Sequence, residues 1–149
     1  MQRFACRVFV AFAPAWLLCG CGGGESSLSQ ATVEPPHRGH MFALPENRGY
    51  VEIMTDREGA SRGSRAPATK ARILAYFYQP DGTTAMAPPP TDVKVQIGVD
   101  DKSTVVALAP QPKEAGLFAS EPGMYPDGFR GQIEAQVNGE AVKLPFLFR

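Results

Sequence analysis

Beyond residue 21 this chain has no cysteine: all three, Cys6, Cys19 and Cys21, lie at its N-terminus. The remaining residues therefore form no disulfide, offer no thiolate to a metal and hold no cysteine nucleophile, so a fold built from them rests on its core alone. Charge of one sign is missing too. Fifteen basic side chains face fifteen acidic ones, which leaves no electrostatic footprint for nucleic acid. No stretch approaches the roughly 20 apolar residues of a membrane-spanning helix. The single tryptophan, Trp16, falls near the N-terminus, and there are only two histidines, His37 and His40. Paired carboxylates suited to acid–base work are missing, because Asp100 and Asp101 are neighbours on one turn and point apart. No window of helical period and no internal repeat occurs. We expect no enzyme, no catalytic residue and no cofactor.

What is present begins with an export pattern. Arg3 and Arg7 precede an apolar run of eleven residues, Val8 to Leu18, and small residues follow. Eleven helical residues reach roughly 16 Å, about half of a hydrocarbon core, and Pro14 interrupts them. The run ends in Leu18-Cys19-Gly20-Cys21. These four residues resemble a bacterial lipobox: an aliphatic residue, two small ones, then the cysteine that takes lipid. The resemblance implies residues 1–20 as a lipoprotein signal peptide, cleavage before Cys21, and acyl chains on Cys21 as the membrane attachment. It implies a periplasm-facing protein. Gly22 stands where an Asp resembles an inner-membrane retention signal, which favours the outer membrane. Cleavage removes Arg3 and Arg7 and leaves 13 basic against 15 acidic side chains.

Residues 21–36 read as a tether. Gly22-Gly23-Gly24-Glu25-Ser26-Ser27 opens a polar stretch that runs to Pro35-Pro36. Such composition buries too little apolar surface to offset the entropy of ordering, and about 15 such residues reach roughly 20 Å.

Residues 37–149 carry the strand period. Val93, Val95, Ile97 and Val99 alternate with polar residues, Asp100-Asp101 make a turn, and Ser103 to Leu108 return antiparallel. Ile133, Ala135 and Val137 alternate likewise. Asn138-Gly139 is the strongest short-range hairpin signal, since a type I′ turn needs positive φ at both central residues. Val142, Leu144, Phe146 and Phe148 then face the core. Tyr50 to Thr55 and Arg72 to Tyr78 are two further strands, and short ones near Met41 and Leu117 bring the total to seven or eight. Pro80-Asp81-Gly82 and Pro126-Asp127-Gly128 punctuate as turns. This spacing predicts an antiparallel β-sandwich, with a small closed barrel as the alternative. The architecture resembles immunoglobulin-like sandwiches, without their Cys…Trp…Cys core. The pattern runs to the last residues, so we expect no further domain behind it.

Four constellations bear on function. Gly59-Ala60-Ser61-Arg62-Gly63 fits G-x-S-x-G, but Pro67 follows closely, no helix is signalled and both histidines precede the serine, so it reads as a loop. His37-Arg38-Gly39-His40 offers two imidazoles for a metal, with Glu52 or a methionine as third ligand; on an extended strand their odd separation sends them to opposite faces. This opening, with the Gly-Tyr-Val-Glu strand after it, resembles small sandwich modules of bacterial envelope proteins, some linked to metal export. The basic loop Arg57, Arg62, Arg65, Lys70 and Arg72 reads either as a contact for anionic headgroups or lipopolysaccharide or as a solvated loop. Last, Leu74, Tyr76 and Tyr78 alternate with Ile73, Ala75 and Phe77. If the second set faces the core, Tyr76 and Tyr78 form an outward stripe, open to an envelope partner or covered by the long Ala85 to Pro90 loop; otherwise both sets are buried in a central strand. The composition fits a lipid-anchored, non-enzymatic binding or scaffolding module, with a metal-binding accessory domain as the alternative.

Overall fold

The computed structural model describes residues 33–57, 70–98, 103–125 and 128–148. Cys21, the tether up to residue 32, the G-x-S-x-G segment, Asp100-Asp101 and Pro126-Asp127 lie outside the described residues.

Among the described residues nine strands form two antiparallel sheets. They are β1 (His40–Ala43), β2 (Tyr50–Arg57), β3 (Ala71–Tyr78), β4 (Thr91–Ile97), β5 (Thr104–Ala107), β6 (Ala109–Pro110), β7 (Leu117–Ala119), β8 (Phe129–Val137) and β9 (Glu140–Phe148). One sheet has the order β1-β2-β3-β7-β6, the other β5-β4-β8-β9. Neither closes on itself, so the molecule is a β-sandwich and not a barrel. β6 is the strand that periodicity does not reveal: two residues carry no alternation. It exists because the chain, after pairing with β4, turns at Leu108 and pairs Ala109 with Ala119 in the other sheet.

The period-two pattern explains the core. Val51, Ile53, Ile73, Ala75, Phe77 and Phe118 face inward from the larger sheet. Val93, Val95, Ile133, Ala135, Val137, Val142 and Phe146 meet them from the smaller one. At about 25 cal/mol per Å² of apolar surface, these two facing layers are the main term holding the sheets together. Asn138 and Gly139 both have positive φ (54° and 81°) and close the β8–β9 hairpin at the register Val137↔Glu140. The outer face of the smaller sheet is polar and carries a Lys143–Glu134 pair at 2.9 Å. The outer face of the larger sheet is not. It holds a second apolar cluster of Met41, Tyr76, Tyr78 and Leu117, flanked by Val33, Tyr50, Met54 and Leu74.

Candidate functional site

The second cluster surrounds a buried carboxylate. Glu52 sits in β2 between Val51 and Ile53, and the antiparallel register sets it between Met41 on one side and Tyr76 on the other. Pleating sends it to the outer face while its neighbours enter the core. It is nevertheless fully buried, at 0% exposure. The cover is the chain's own N-terminal segment, residues 33–39.

That segment folds to fit the carboxylate. Arg38 donates its backbone N–H to the carbonyl of Pro35 at 3.1 Å, and its φ of 66° is left-handed. This turn aims two backbone N–H groups the same way, as in an anion-binding nest. The His37 N–H donates to Glu52 Oε1 at 3.1 Å and to Oε2 at 3.3 Å; the Gly39 N–H donates to Oε1 at 2.6 Å. Gly39 is required by proximity, for a Cβ there would stand 2.8 Å from the Ile53 carbonyl oxygen and 2.9 Å from Glu52 Cγ.

Side chains complete the shell. The Tyr78 hydroxyl donates to Glu52 Oε2 at 3.0 Å. His37 Nδ1 lies 3.2 Å from the same oxygen and 2.8 Å from the Tyr78 hydroxyl. Since Tyr78 gives its proton to Glu52, Nδ1 needs a proton of its own to approach that oxygen. The ring stacks on Tyr76, with centroids 3.8 Å apart and planes 12° from parallel. Its other nitrogen, Nε2, faces Glu114 Oε1 at 3.3 Å. Among the described residues no buried side-chain nitrogen or oxygen is without a partner. Burial, and then the hydrogen bond to Glu52, push the Tyr78 phenol well above its ordinary value. Burial, and then the charges of Glu114 and Glu52, raise Tyr76.

An imidazole held through Nδ1 by a carboxylate is the arrangement that orients a general base. Here Nε2, the nitrogen that would take a proton from a nucleophile, points at Glu114 instead.

His37 and His40 do not come together. His40 opens β1 opposite Ile53, on the core-facing side of the sheet, while the His37 ring lies on the outer face against Tyr76. Among the described residues no group of three or more His, Cys, Asp or Glu side chains is placed to hold a metal ion. Tyr76 and Tyr78 do point away from the core, as alternation with Ile73, Ala75 and Phe77 implies. They retain only 7% and 5% exposure because residues 33–39 cover them. That contact starts at Val33, ahead of residue 37, where composition shifts: a Cβ on Gly82 would come within 2.5 Å of Val33 Cγ1. Glu52, a candidate third metal ligand by sequence, makes five hydrogen-bond contacts within the chain. Glu114, in the loop before β7, carries no sequence signal at all.

Of the basic loop, Lys70 and Arg72 line a shallow cavity of about 220 Å³ with Asp56 and Pro122. Arg72 stands directly across from Asp56 in the ladder. No helix among the described residues is long and apolar enough to cross a membrane. No protein-family model, no curated protein and no solved structure matches this chain.

Proposed function

We propose that this chain is a lipid-anchored envelope protein whose β-sandwich acts as a non-enzymatic binding or scaffolding module, facing the periplasm from the outer membrane. The observation that carries the reading is Leu18-Cys19-Gly20-Cys21 directly behind an eleven-residue apolar run. The fold is consistent with it: the polar outer face of the smaller sheet, with its Lys143–Glu134 pair, suits a module that meets its partner on a surface. Labelled palmitate supplied to bacteria expressing the chain should enter it, and Cys21→Ser should abolish both the label and recovery with membranes. A Cys21→Ser chain that stays with the membrane removes the basis of the reading. Pull-down of the membrane-bound protein should then return an envelope protein; repeated recovery of the chain alone counts against scaffolding.

A second reading, a metal-binding accessory domain, has one supporting feature. A histidine ligand commonly has its second nitrogen held by a carboxylate, as Glu52 holds His37. The partner donor is then Glu114, not His40. Zinc titration with wild type, His37→Ala and Glu114→Gln decides it: equal behaviour of all three excludes the site.

A further inference from the structure

Residues 33–39 are joined to the fold in an unusual way. Among the described residues they make no ladder hydrogen bond with any strand, and their backbone–backbone bond, Arg38 to Pro35, is internal. The polar ties to the sheet run through side chains, and most converge on the Glu52 carboxylate. The remainder are His37 to Tyr78, the stack on Tyr76, the contact with Glu114 and the packing of Val33. The ladder begins only at His40, paired with Ile53. Beneath the segment lie Tyr76, Tyr78, Met41 and Leu117, a cluster separate from the main core.

We propose that residues 33–39 are a releasable strap, closed by the Glu52 clasp and able to lift as one unit while both sheets stay folded. Local opening is expected where backbone pairing is lacking and contacts are few. Because most of the polar ties share the Glu52 carboxylate, those are lost together. The main core shares no side chain with the strap, so it does not open with it. Lifting does two things. It uncovers the Tyr76–Tyr78 face. On the reading of residues 21–36 as a tether, it also frees the chain up to His40 to lengthen that tether. Seven residues of extended chain span about 25 Å. That second consequence rests on reading Cys21 as the anchor; the strap itself does not.

Native-state hydrogen exchange on the full Cys21→Ser chain tests this with no lipid needed, so a failed anchor and a failed strap give different results. The amides of His37 and Gly39 should be protected, yet exchange faster than those of Val95 and Ile133 and with little dependence on added denaturant. Glu52→Gln, which keeps the shape and removes the charge, should speed the two strap amides roughly tenfold to hundredfold, with the core amides unchanged. Strap amides that exchange only with the core, or that are unprotected in wild type, overturn the proposal. So does a Glu52→Gln chain with unaltered strap exchange. If Glu52→Gln fails to fold, the wild-type denaturant series decides alone, and Tyr78→Phe supplies the milder perturbation.

Discussion

Adding one methyl group at Gly131 should destabilise the sandwich more than most substitutions of that size. Gly131 lies in β8 between Ile97 of β4 and Phe146 of β9. A Cβ there would stand 2.5 Å from the Gln96 carbonyl oxygen and 2.8 Å from Phe146 Cζ. These obstacles differ in kind. The Phe146 ring can swing, although it is buried and packs at 5.7 Å on Phe129 and 6.0 Å on Phe42. The carbonyl belongs to β4 and yields only if the β4–β8 ladder opens. Overpacking costs about 1–3 kcal/mol, and the immobile carbonyl places Gly131→Ala near the upper end. For a domain of this size that is a fall in melting temperature of roughly 8–12 °C. Thermal and urea unfolding followed by circular dichroism read it directly. Phe146→Leu in the same chain frees the ring's space but not the carbonyl's, so it should recover less than half of the loss after its own cost is subtracted. A Gly131→Ala protein within about 0.5 kcal/mol of wild type, a change typical of uninvolved surface sites, refutes the reasoning. Full rescue by Phe146→Leu would show that the ring, not the ladder, sets the limit.

Other predictions follow from the same geometry. In an alkaline spectroscopic titration, Tyr76 and Tyr78 should ionise after a free phenol does, because burial raises both. The sign is that of a raised folded value: the contribution to stability is complete below the ordinary phenol value and is lost as pH rises from there through the raised folded value. Tyr76 or Tyr78 ionising with a free phenol in the folded protein contradicts this. Asp81 should titrate at about 2, held down by the Thr84 hydroxyl and the N–H groups of Thr83 and Thr84. Its contribution is present above the ordinary carboxyl value and lost as pH falls toward 2; carboxyl NMR on Thr84→Val should show the value move back up. Arg38→Gly should leave stability unchanged or raise it by roughly 1 kcal/mol, since a left-handed residue favours glycine. Arg38→Val should lose about as much, and denaturant midpoints separate the two.

The sheets were legible because alternation is local. Val93-Val95 and Ile133-Ala135-Val137 state their faces two residues at a time, and Asn138-Gly139 states its own turn. The clasp was not legible, because it joins positions 37, 52, 78 and 114 across four separate stretches of chain. Its one local trace is Glu52 itself, a charge between Val51 and Ile53 in an otherwise apolar run. In an outward position a glutamate reads as a solvated side chain. Only the fold shows that residues 33–39 return over it. The same return turns the Tyr76–Tyr78 stripe, exposed by strand period, into a buried one.

The passage of the chain from β5 to β6 gives the sandwich a spine. Thr104 to Pro110 runs from the edge of one sheet straight into the edge of the other, so that flank is bound by covalent backbone. Along the opposite flank, between β1 and β9, no chain crosses among the described residues. There Arg48 reaches from the β1–β2 connection to Glu46 and Glu140, a contact of exposed carboxylates that salt screens. The molecule is bound like a book, and solvent should enter first at the fore-edge, beside Phe42 and Phe146, in high salt before low.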